Sequence, residues 1–379
     1  LTNSSNAGGT SGDIDFRAAA TGGTGVVVTG AVTLSGTGST RIITGIEIFT
    51  VTGAVTLSNS SATSMLDINA STTGLDVSFG SVSLTGAGTI DFTPLVAGKI
   101  SVTGTYTQSA GTWNAPASTG IDTFTGAFDI SGGTFTQNAA GDTAVVSFLS
   151  TYTQSGGTVK IDGTGAMAVT GSFSKTGGTT DFDGGAHARA LTLTAAANTF
   201  SGGTWVNSAL LTITFNRSVS AQTFTSGVGS VFPGIIVINN TFPNGPVWEL
   251  NGGNLTVGGV FTITSNPGTG VAVNLTDKAL ILTGGVLFTN TGGYSATAST
   301  GKVRMTNTGG SITGAGAFGN FEVDTGVLAH DIGTASAINF TGEVRLTSGA
   351  IDEESGAITV TNGTVIRGQG QFENTPTYV

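Results

Sequence analysis

The sequence of 379 residues contains no cysteine, and charged residues make up only 9% of it. No disulfide can therefore stabilise the fold, and no thiolate zinc site can form. Lys and Arg total 12 against 22 Asp and Glu, which gives a net charge of −10 at pH 7. Nucleic acids and anionic membrane surfaces bind clusters of basic residues. The composition therefore argues against both partners.

Long apolar runs are also missing. No window approaches the roughly 18 apolar residues of a membrane-spanning helix, so we expect no insertion into a membrane. The first residues, Leu1-Thr-Asn-Ser-Ser, have neither the basic nor the apolar region of a signal peptide. We expect a secreted protein, extracellular or on a cell surface, and the sequence to be either the chain after removal of the signal peptide or a fragment.

The residues that are abundant point to a folded chain. Glycine accounts for 62 residues, a proportion that is typical of low-complexity sequences. However, hydrophobic residues reach 38%, the mean hydropathy is +0.25, and apolar and polar residues alternate along much of the chain. A disordered chain lacks the apolar surface that offsets the entropy lost on folding. Alternation with period two predicts strands.

One short phrase returns through the middle of the chain. Its aromatic residue falls at Tyr106, Phe128, Tyr152 and Phe173, in steps of 22, 24 and 21 residues. A Gly-Thr pair follows each copy. A period in the twenties that tolerates small insertions is typical of a repeat protein with one coil per phrase. We predict an all-β fold, a right-handed parallel β-solenoid (β-helix) with coils of about 21–25 residues.

The phrase also predicts a structural ladder. Side chains alternate between the two faces of a strand, so each aromatic ring shares a face with the glycine two positions earlier. We expect those glycines to leave space beside the rings, and stacked coils to place the rings in a column. The predicted ladder residues are Tyr106, Phe128, Tyr152, Phe173, Gly104, Gly126 and Gly171. The trailing glycines are expected at positive-φ corners.

Composition divides the chain into four predicted regions. Residues 1–24 form an amino-terminal arm or cap, and residues 25–215 a regular β-solenoid. From about residue 216 prolines become more frequent and strands more aliphatic, which predicts a section with wider coils over residues 216–368. Residues 369–379 form a carboxyl-terminal tail or added strand. Leu1, Phe372, Tyr378 and Val379 are the residues that we expect in assembly contacts.

Two stretches, Val-Thr-Gly-Ser-Phe-Ser-Lys-Thr-Gly-Gly-Thr and Gly-Asn-Phe-Glu-Val-Asp, carry a resemblance. They resemble the β-strand repeats of large secreted bacterial surface proteins, which include adhesin-like and autotransporter-passenger right-handed β-helices. The similarity extends over nearly the whole chain from Val26. Its motifs are degenerate, and they imply a fold more than an activity.

Few residue patterns suggest catalysis. Asp181 and Asp183 would place two carboxylates on one strand face, as glycoside hydrolysis requires, but an outer-face pair beside a turn is the preferred interpretation. Asp352-Glu-Glu354 is expected to be a solvated turn. His187, which lies near Arg189, and His330 are the two histidines, and surface positions are preferred over a lyase base. We predict no catalytic residue and no enzymatic activity.

Patterns for ligands are equally weak. The sequence has no calcium-binding nonapeptide repeat and no phosphate-binding loop, so we predict no metal and no cofactor. Trp113, Trp205 and Trp248 each lie within an alternating run, and core positions are preferred over sugar-stacking platforms.

These observations favour a structural function. We predict an extracellular structural protein, a self-assembling filament or surface-layer subunit that polymerises through terminal strands or end-to-end stacking. Its partner would be further copies of itself, as a homo-oligomer or fibre. The alternative is an adhesin, a carbohydrate-binding stalk of a bacterial surface with glycans as ligands. A polysaccharide-degrading β-helix enzyme is the third hypothesis.

Overall fold

A computed structural model gives the structure of the chain. It describes residues 2–3, 12–15, 26–35, 40–44, 48–60, 65–70, 76–92, 98–115, 120–137, 145–161, 166–182, 189–206, 210–239, 248–264, 273–284, 288–290, 300–307, 311–313, 316–326, 331–334, 338–352, 357–361, 365–372 and 377–378.

The described residues form strands and contain no helix. In this part of the chain, no helix is therefore long and apolar enough to span a bilayer. In the first half of the chain the strands are β1 (Thr2–Asn3), β2 (Gly12–Asp15), β3 (Val26–Val28), β4 (Val32–Leu34), β5 (Thr40–Thr44), β6 (Ile48–Leu57), β7 (Met65–Ala70), β8 (Asp76–Leu84), β9 (Thr89–Asp91), β10 (Ile100–Val102), β11 (Tyr106–Gln108), β12 (Thr112–Ala115), β13 (Asp122–Phe124), β14 (Phe128–Ile130), β15 (Thr134–Gln137), β16 (Val146–Phe148), β17 (Tyr152–Gln154), β18 (Thr158–Ile161), β19 (Met167–Val169), β20 (Phe173–Lys175), β21 (Thr179–Asp181) and β22 (Arg189–Leu193).

The remaining strands continue in the same way. They are β23 (Ala197–Phe200), β24 (Thr204–Val206), β25 (Leu211–Phe215), β26 (Gln222–Ser226), β27 (Ser230–Phe232), β28 (Ile235–Ile238), β29 (Trp248–Gly252), β30 (Leu255–Val257), β31 (Phe261–Ile263), β32 (Val273–Asn274), β33 (Ala279–Leu282), β34 (Phe288–Asn290), β35 (Lys302–Met305), β36 (Ser311–Thr313), β37 (Gly316–Phe318), β38 (Asn320–Asp324), β39 (Asp331–Thr334), β40 (Ile338–Phe340), β41 (Val344–Ser348), β42 (Ala350–Asp352), β43 (Ile358–Val360), β44 (Val365–Arg367), β45 (Gln371–Phe372) and β46 (Thr377–Tyr378).

The chain divides into two compact units. One comprises residues 1–191 with 202–207, and the other comprises residues 192–201 with 208–379. Each unit consists of parallel strands stacked coil upon coil. The predicted all-β parallel β-solenoid is therefore confirmed.

Three faces, each formed by stacked parallel strands, surround the core of the first unit. One face follows β3, β6, β8, β10, β13, β16 and β19, and the next follows β4, β6, β8, β11, β14, β17 and β20. The third is a nine-stranded sheet in the order β2-β5-β7-β9-β12-β15-β18-β21-β24. Within the described residues, β6 and β8 each extend over two faces.

The alternation seen in the sequence matches the burial of the strands. In β11 and β14 the first and third residues are buried and the middle residue is exposed. Each strand pairs in register with its counterpart one coil later, so Tyr106 lies beside Phe128, Phe128 beside Tyr152, and Tyr152 beside Phe173. Apolar side chains therefore stack on apolar side chains along the core.

Glycine corners separate the second face from the third. Gly111, Gly133, Gly157, Gly178 and Gly203 have φ angles of 69°, 73°, 63°, 67° and 86°. Residues with a Cβ rarely adopt this left-handed region. The positive-φ corners predicted from the trailing Gly-Thr pairs are confirmed.

The second unit has the same parallel stacking, again with coils of different lengths. One face follows β25, β28, β31, β34, β36, β39, β42 and β45, and another is the seven-stranded sheet β27-β30-β33-β35-β38-β41-β44. Phe261 pairs with Phe288, 27 residues later, whereas Val303 pairs with Phe321, 18 residues later. Coils as short as the second of these do not occur among the described pairs of the first unit, whereas the longer one is matched there by the pair of Ile48 and Asp76, 28 residues apart. The described pairs therefore do not show the wider coils expected for residues 216–368.

Both ends of the described chain contribute strands to sheets, among them a four-stranded sheet in the order β37-β40-β43-β46. β1 pairs with β4 and β2 pairs with β5, so parts of the predicted arm belong to a coil. At the other end β45 pairs with β42 and β46 pairs with β43. The predicted tail thus lies, over these strands, on its own preceding coil.

Candidate functional site

A column of stacked aromatic rings runs through the core of the first unit. The ring centroids of Tyr106 and Phe128 are 4.7 Å apart, those of Phe128 and Tyr152 are 5.1 Å apart, and those of Tyr152 and Phe173 are 5.2 Å apart. The planes of neighbouring rings differ by only 7–9°. All four side chains are buried. Further rings, including Phe124, pack edge-on against the column. This column is the repeated feature of the sequence in three dimensions.

The three ladder glycines lie close to the backbone of the preceding coil. A Cβ on Gly104 would meet the carbonyl oxygen of Gly80, and one on Gly126 would meet the backbone of Gly104. One on Gly171 would meet the backbone of Ser150. These glycines lie at bends between strands, where successive coils approach closely. They make room for the backbone of the preceding coil, and the expected space beside the rings stays a prediction.

Polar side chains share the buried face with the rings. Gln108 and Gln154 follow Tyr106 and Tyr152 by two residues, which brings them to the same face of the strand. The Tyr106 hydroxyl donates to Gln108 Oε1 at 2.7 Å. Gln108 Nε2 in turn donates to two backbone carbonyls at 3.0 Å, including that of the corner glycine Gly111. The glutamine therefore satisfies carbonyl groups that the corner directs into the core.

The same face also contains a lysine that is fully buried. Lys175 follows Phe173 by two residues, and its Nζ donates to the carbonyls of Gly177 and Gly178 at 3.0 and 3.1 Å. It also lies 5.5 Å from the centre of the Trp205 ring, a cation–π contact. Burial lowers the pKa of the Lys175 ammonium from 10.5 to about 8. A substantial share of this amine is neutral in mildly alkaline solution.

Three donors converge on one amide oxygen beside this lysine. The Oε1 of Gln154 accepts from Thr180 Oγ1 at 2.6 Å, from Lys175 Nζ at 3.2 Å and from the Tyr152 hydroxyl at 3.4 Å. Gln154 Nε2 donates to the carbonyl of Thr179 at 2.8 Å. Burial raises the pKa of Tyr152, so its hydroxyl stays protonated and remains a donor. We call Tyr152, Gln154, Lys175 and Thr180 the buried amide cluster.

A second group of buried, hydrogen-bonded polar side chains lies in the same unit. Trp113 Nε1 donates to Gln137 Oε1 at 3.0 Å, and Gln137 Nε2 donates to Asp122 Oδ2. The other carboxylate oxygen of Asp122 accepts the backbone N–H of Ile100 at 2.6 Å. The side chains of Trp113, Gln137 and Asp122 are completely buried. Hydrogen bonds thus take the place of water around the Asp122 carboxylate.

Charged residues are concentrated on one outer strip of the second unit. Lys302 and Arg304 of β35 face Glu322 and Asp324 of β38, and ion pairs join Lys302 to Glu322 and Arg304 to Asp324. The hydrogen bond from Arg304 holds the pKa of the Asp324 carboxyl below its usual value. Ser348 Oγ also donates to Asp324, at 3.0 Å. These charges are largely paired with one another.

A cleft of about 370 Å³ lies at the end of this strip. Its edge is a tight turn in which Lys278 N–H donates to the Leu275 carbonyl at 2.8 Å, and Thr276 has a φ of 57°. Asp277 and Lys278 form an ion pair at 2.8 Å. A left-handed threonine is strained backbone of the kind that occurs at binding sites. The residues lining the cleft are Asn254, Asp277, Lys278, Ala279, Thr300, Gly301 and Lys302.

The candidate catalytic residues do not form a site among the described residues. Asp181 lies at the end of β21 and is half-buried, whereas Asp183, His187, His330 and Glu353-Glu354 lie outside the described residues. Arg189 is buried in β22. The part of the chain that the structure describes contains no group of three or more metal-binding side chains. The glycosidase and lyase hypotheses therefore stay untested predictions.

The other predicted residues are divided between core and chain ends. Trp113, Trp205 and Trp248 are buried, as the core interpretation predicts. Phe372 lies in β45 and Tyr378 in β46. Leu1 and Val379 lie outside the described residues.

Sequence reasoning missed the buried amide cluster. The phrase itself contained the signal, because the residue two positions after each aromatic ring is Gln108, Ile130, Gln154 or Lys175. Strand alternation directs all four into the core. Lysine is rarely buried, and this general preference hides the position of Lys175.

The fold and the buried ladders define a parallel β-solenoid protein. Comparison with protein-family models, with curated proteins and with solved structures found no match.

Proposed function

We propose that the chain is an extracellular structural protein, a β-solenoid subunit that assembles with copies of itself through its terminal strands. One observation supports this proposal above the others. Among the described strands, β2 pairs only with β5, and β46 pairs only with β43. Each of these two strands thus has one edge without a partner among the described strands. Such edges pair readily with another chain.

The geometry of β46 shows which groups would take part. Thr361 N–H, which directly follows β43, donates to the Phe340 carbonyl of β40 at 2.8 Å, on the side away from β46. In a parallel ladder, successive residues direct their backbone groups to opposite sides, so Val360 directs its own groups toward β46. A residue that does so bonds to the neighbours of its register partner, which is Tyr378. The N–H and carbonyl of Tyr378 therefore point to the open edge, where a strand from a second copy would pair with them.

Electron microscopy of the purified chain over a range of concentrations tests the proposal. We expect fibres or sheets whose junctions lie at the chain ends. Tyr378→Pro removes the outward N–H but leaves that of Thr377 in place, so we expect it to stop assembly. Tyr378→Ala is the matched control, because it removes the ring and keeps the N–H. A small proportion of the proline variant should also shorten fibres of the unmodified chain, since it blocks one end.

Two results would contradict the proposal in different ways. If the unmodified chain remains as isolated particles at every concentration, it is not an assembling subunit. If the proline variant assembles as well as the alanine variant, assembly does not use the β46 edge. Deletion of residues 1–24 or of residues 369–379 then tests whether either terminus is needed at all.

The cleft of the second unit favours glycan binding as a second candidate function. Its volume suits one or two sugar rings, and Asn254, Asp277 and Lys278 offer polar groups of the kind that bind hydroxyls. Binding of acidic and neutral glycans to the purified chain tests this function. Asp277→Ala should weaken binding, whereas Asp129→Ala, a change at an exposed position of the first unit, should not.

A further inference from the structure

We propose that Lys175 and Gln154 form an intramolecular isopeptide bond that joins two adjacent coils. The two residues are register partners, Gln154 in β17 and Lys175 in β20. The lysine Nζ lies 3.2 Å from the amide oxygen of Gln154. Both side chains are completely buried. This bond would be a property of the first unit alone, and it does not depend on assembly or on glycan binding.

The surroundings of Gln154 favour attack on its side-chain carbonyl. Thr180 Oγ1 and the Tyr152 hydroxyl both donate to the Oε1 atom, at 2.6 and 3.4 Å. Negative charge develops on this oxygen when a nucleophile adds to the carbonyl carbon, and two fixed donors in a dry site stabilise it. The amide nitrogen is held by the Thr179 carbonyl at 2.8 Å. The acceptor is therefore both oriented and polarised.

The surroundings of Lys175 favour its action as the nucleophile. The carbonyls of Gly177 and Gly178 hold the Nζ atom in place at 3.0 and 3.1 Å. Burial lowers the pKa of this amine to about 8, which increases the neutral fraction that can attack. Because the fold already holds the two reacting groups close together, the reaction does not lose the entropy that an encounter in solution would cost.

The reaction balances without an oxidant or a cofactor. The lone pair of the neutral Nζ adds to Cδ of Gln154, and a Cδ–Nζ bond forms. The Cδ–Nε2 bond then breaks, and one proton from Nζ passes to Nε2, which leaves as ammonia. The product is a secondary amide between two coils.

The chain contains its own comparison site. Gln108 accepts from the Tyr106 hydroxyl at 2.7 Å, much as Gln154 accepts from Tyr152. Its register partner in the next coil is Ile130, which has no nucleophile. No bond can form there, although the tyrosine–glutamine pair is the same.

Mass spectrometry of the intact purified chain tests the inference directly. We expect a mass lower than that of the sequence by one ammonia, and a branched peptide in which Lys175 is joined to Gln154. Trypsin should fail to cleave after Lys175. Lys175→Arg keeps a cation in the cluster and should restore the full mass. Gln108→Met should retain the loss.

A second variant gives a distinct result. Gln154→Glu replaces the amide with an acid, so bond formation would release water in place of ammonia. A full-length chain with the mass of its sequence and separate Lys175 and Gln154 peptides would overturn the inference. A loss of ammonia that maps to other residues would overturn it as well.

Discussion

Buried glutamines in the first unit lie where glycine corners turn carbonyl groups into the core. Gln108 Nε2 donates to the corner carbonyl of Gly111, and Lys175 Nζ does the same for Gly178. An unsatisfied buried carbonyl would cost about 1–3 kcal/mol, so the core needs donors at these points. The tight corners therefore require buried polar side chains that donate hydrogen bonds to the corner carbonyl groups.

The buried tyrosines predict loss of stability in alkali. Burial raises the pKa of both Tyr106 and Tyr152 above the ordinary value of 10.0. Above pH 10 an unfolded tyrosine releases its proton while these two keep theirs, so the unfolded state binds fewer protons. The free energy of unfolding should therefore fall as the pH rises above 10. Denaturant unfolding at several alkaline pH values measures this slope.

A double variant is the control for this effect. Tyr106→Phe with Tyr152→Phe removes both hydroxyls and should flatten the slope, although it lowers stability at neutral pH. An equal slope in the double variant would assign the effect to other groups.

Because the coils approach closely at the bends, a single methyl group added to a bend glycine should lower the stability of the fold. In Gly126→Ala the new Cβ would meet the backbone of Gly104, which cannot move without disturbing the ladder. We expect a loss of about 1–3 kcal/mol in the free energy of unfolding, as for other overpacked sites. Thr125→Ala changes the exposed neighbour and should have little effect. Comparable stability of the two variants would contradict the close approach of the coils.

At the scale of the elements, the aromatic column predicts where packing matters most. Phe128 stacks between Tyr106 and Tyr152 and also meets the edge of Phe148, with ring centroids 4.7 Å apart. Phe128→Ala should lower the free energy of unfolding by about 3–5 kcal/mol, because it leaves a cavity inside three strands. Val228→Ala, at a fully exposed position, should leave it nearly unchanged. Thermal or denaturant unfolding compares the two, and equal values would exclude a continuous packed column.

Periodic sequence predicted these elements well, because the period of the aromatic residues is the length of a coil. Alternation predicted which residues are buried, and the Gly-Thr pairs predicted the corners. The role of Gly104 was not predictable, since alternation places it beside the ring of Tyr106, whereas the chain bends there. The bend and the close approach to Gly80 arise only when coils stack.

The sites that depend on several coils were hidden for the same reason. The cleft brings together Asn254, Asp277 and Thr300, which come from three successive coils of unequal length. No local pattern relates these residues. The buried amide cluster could be predicted in part. The position of Lys175 in the phrase indicates that its side chain points into the core. Only its hydrogen-bond partners required the structure.

At the scale of the whole molecule, the scarcity of charge predicts how the proposed assembly responds to salt. Pairing of strand edges uses backbone hydrogen bonds, and salt screens charges between surfaces. With charged residues at 9% of the chain, fibre formation should change little between low and moderately high ionic strength. Light scattering across a series of sodium chloride concentrations measures this. Dissolution of the fibres by salt would indicate contacts between charged faces in place of strand edges.

Neighbouring coils of the first unit share one register, with Tyr106, Phe128, Tyr152 and Phe173 at equivalent positions. An unequal crossover between the DNA segments that encode two such coils would add or remove one whole coil. The remaining ladders would stay in register, and the corners would keep their glycines. The gene can therefore change length in steps of one coil, and natural variants should differ by whole coils far more often than by fractions of one.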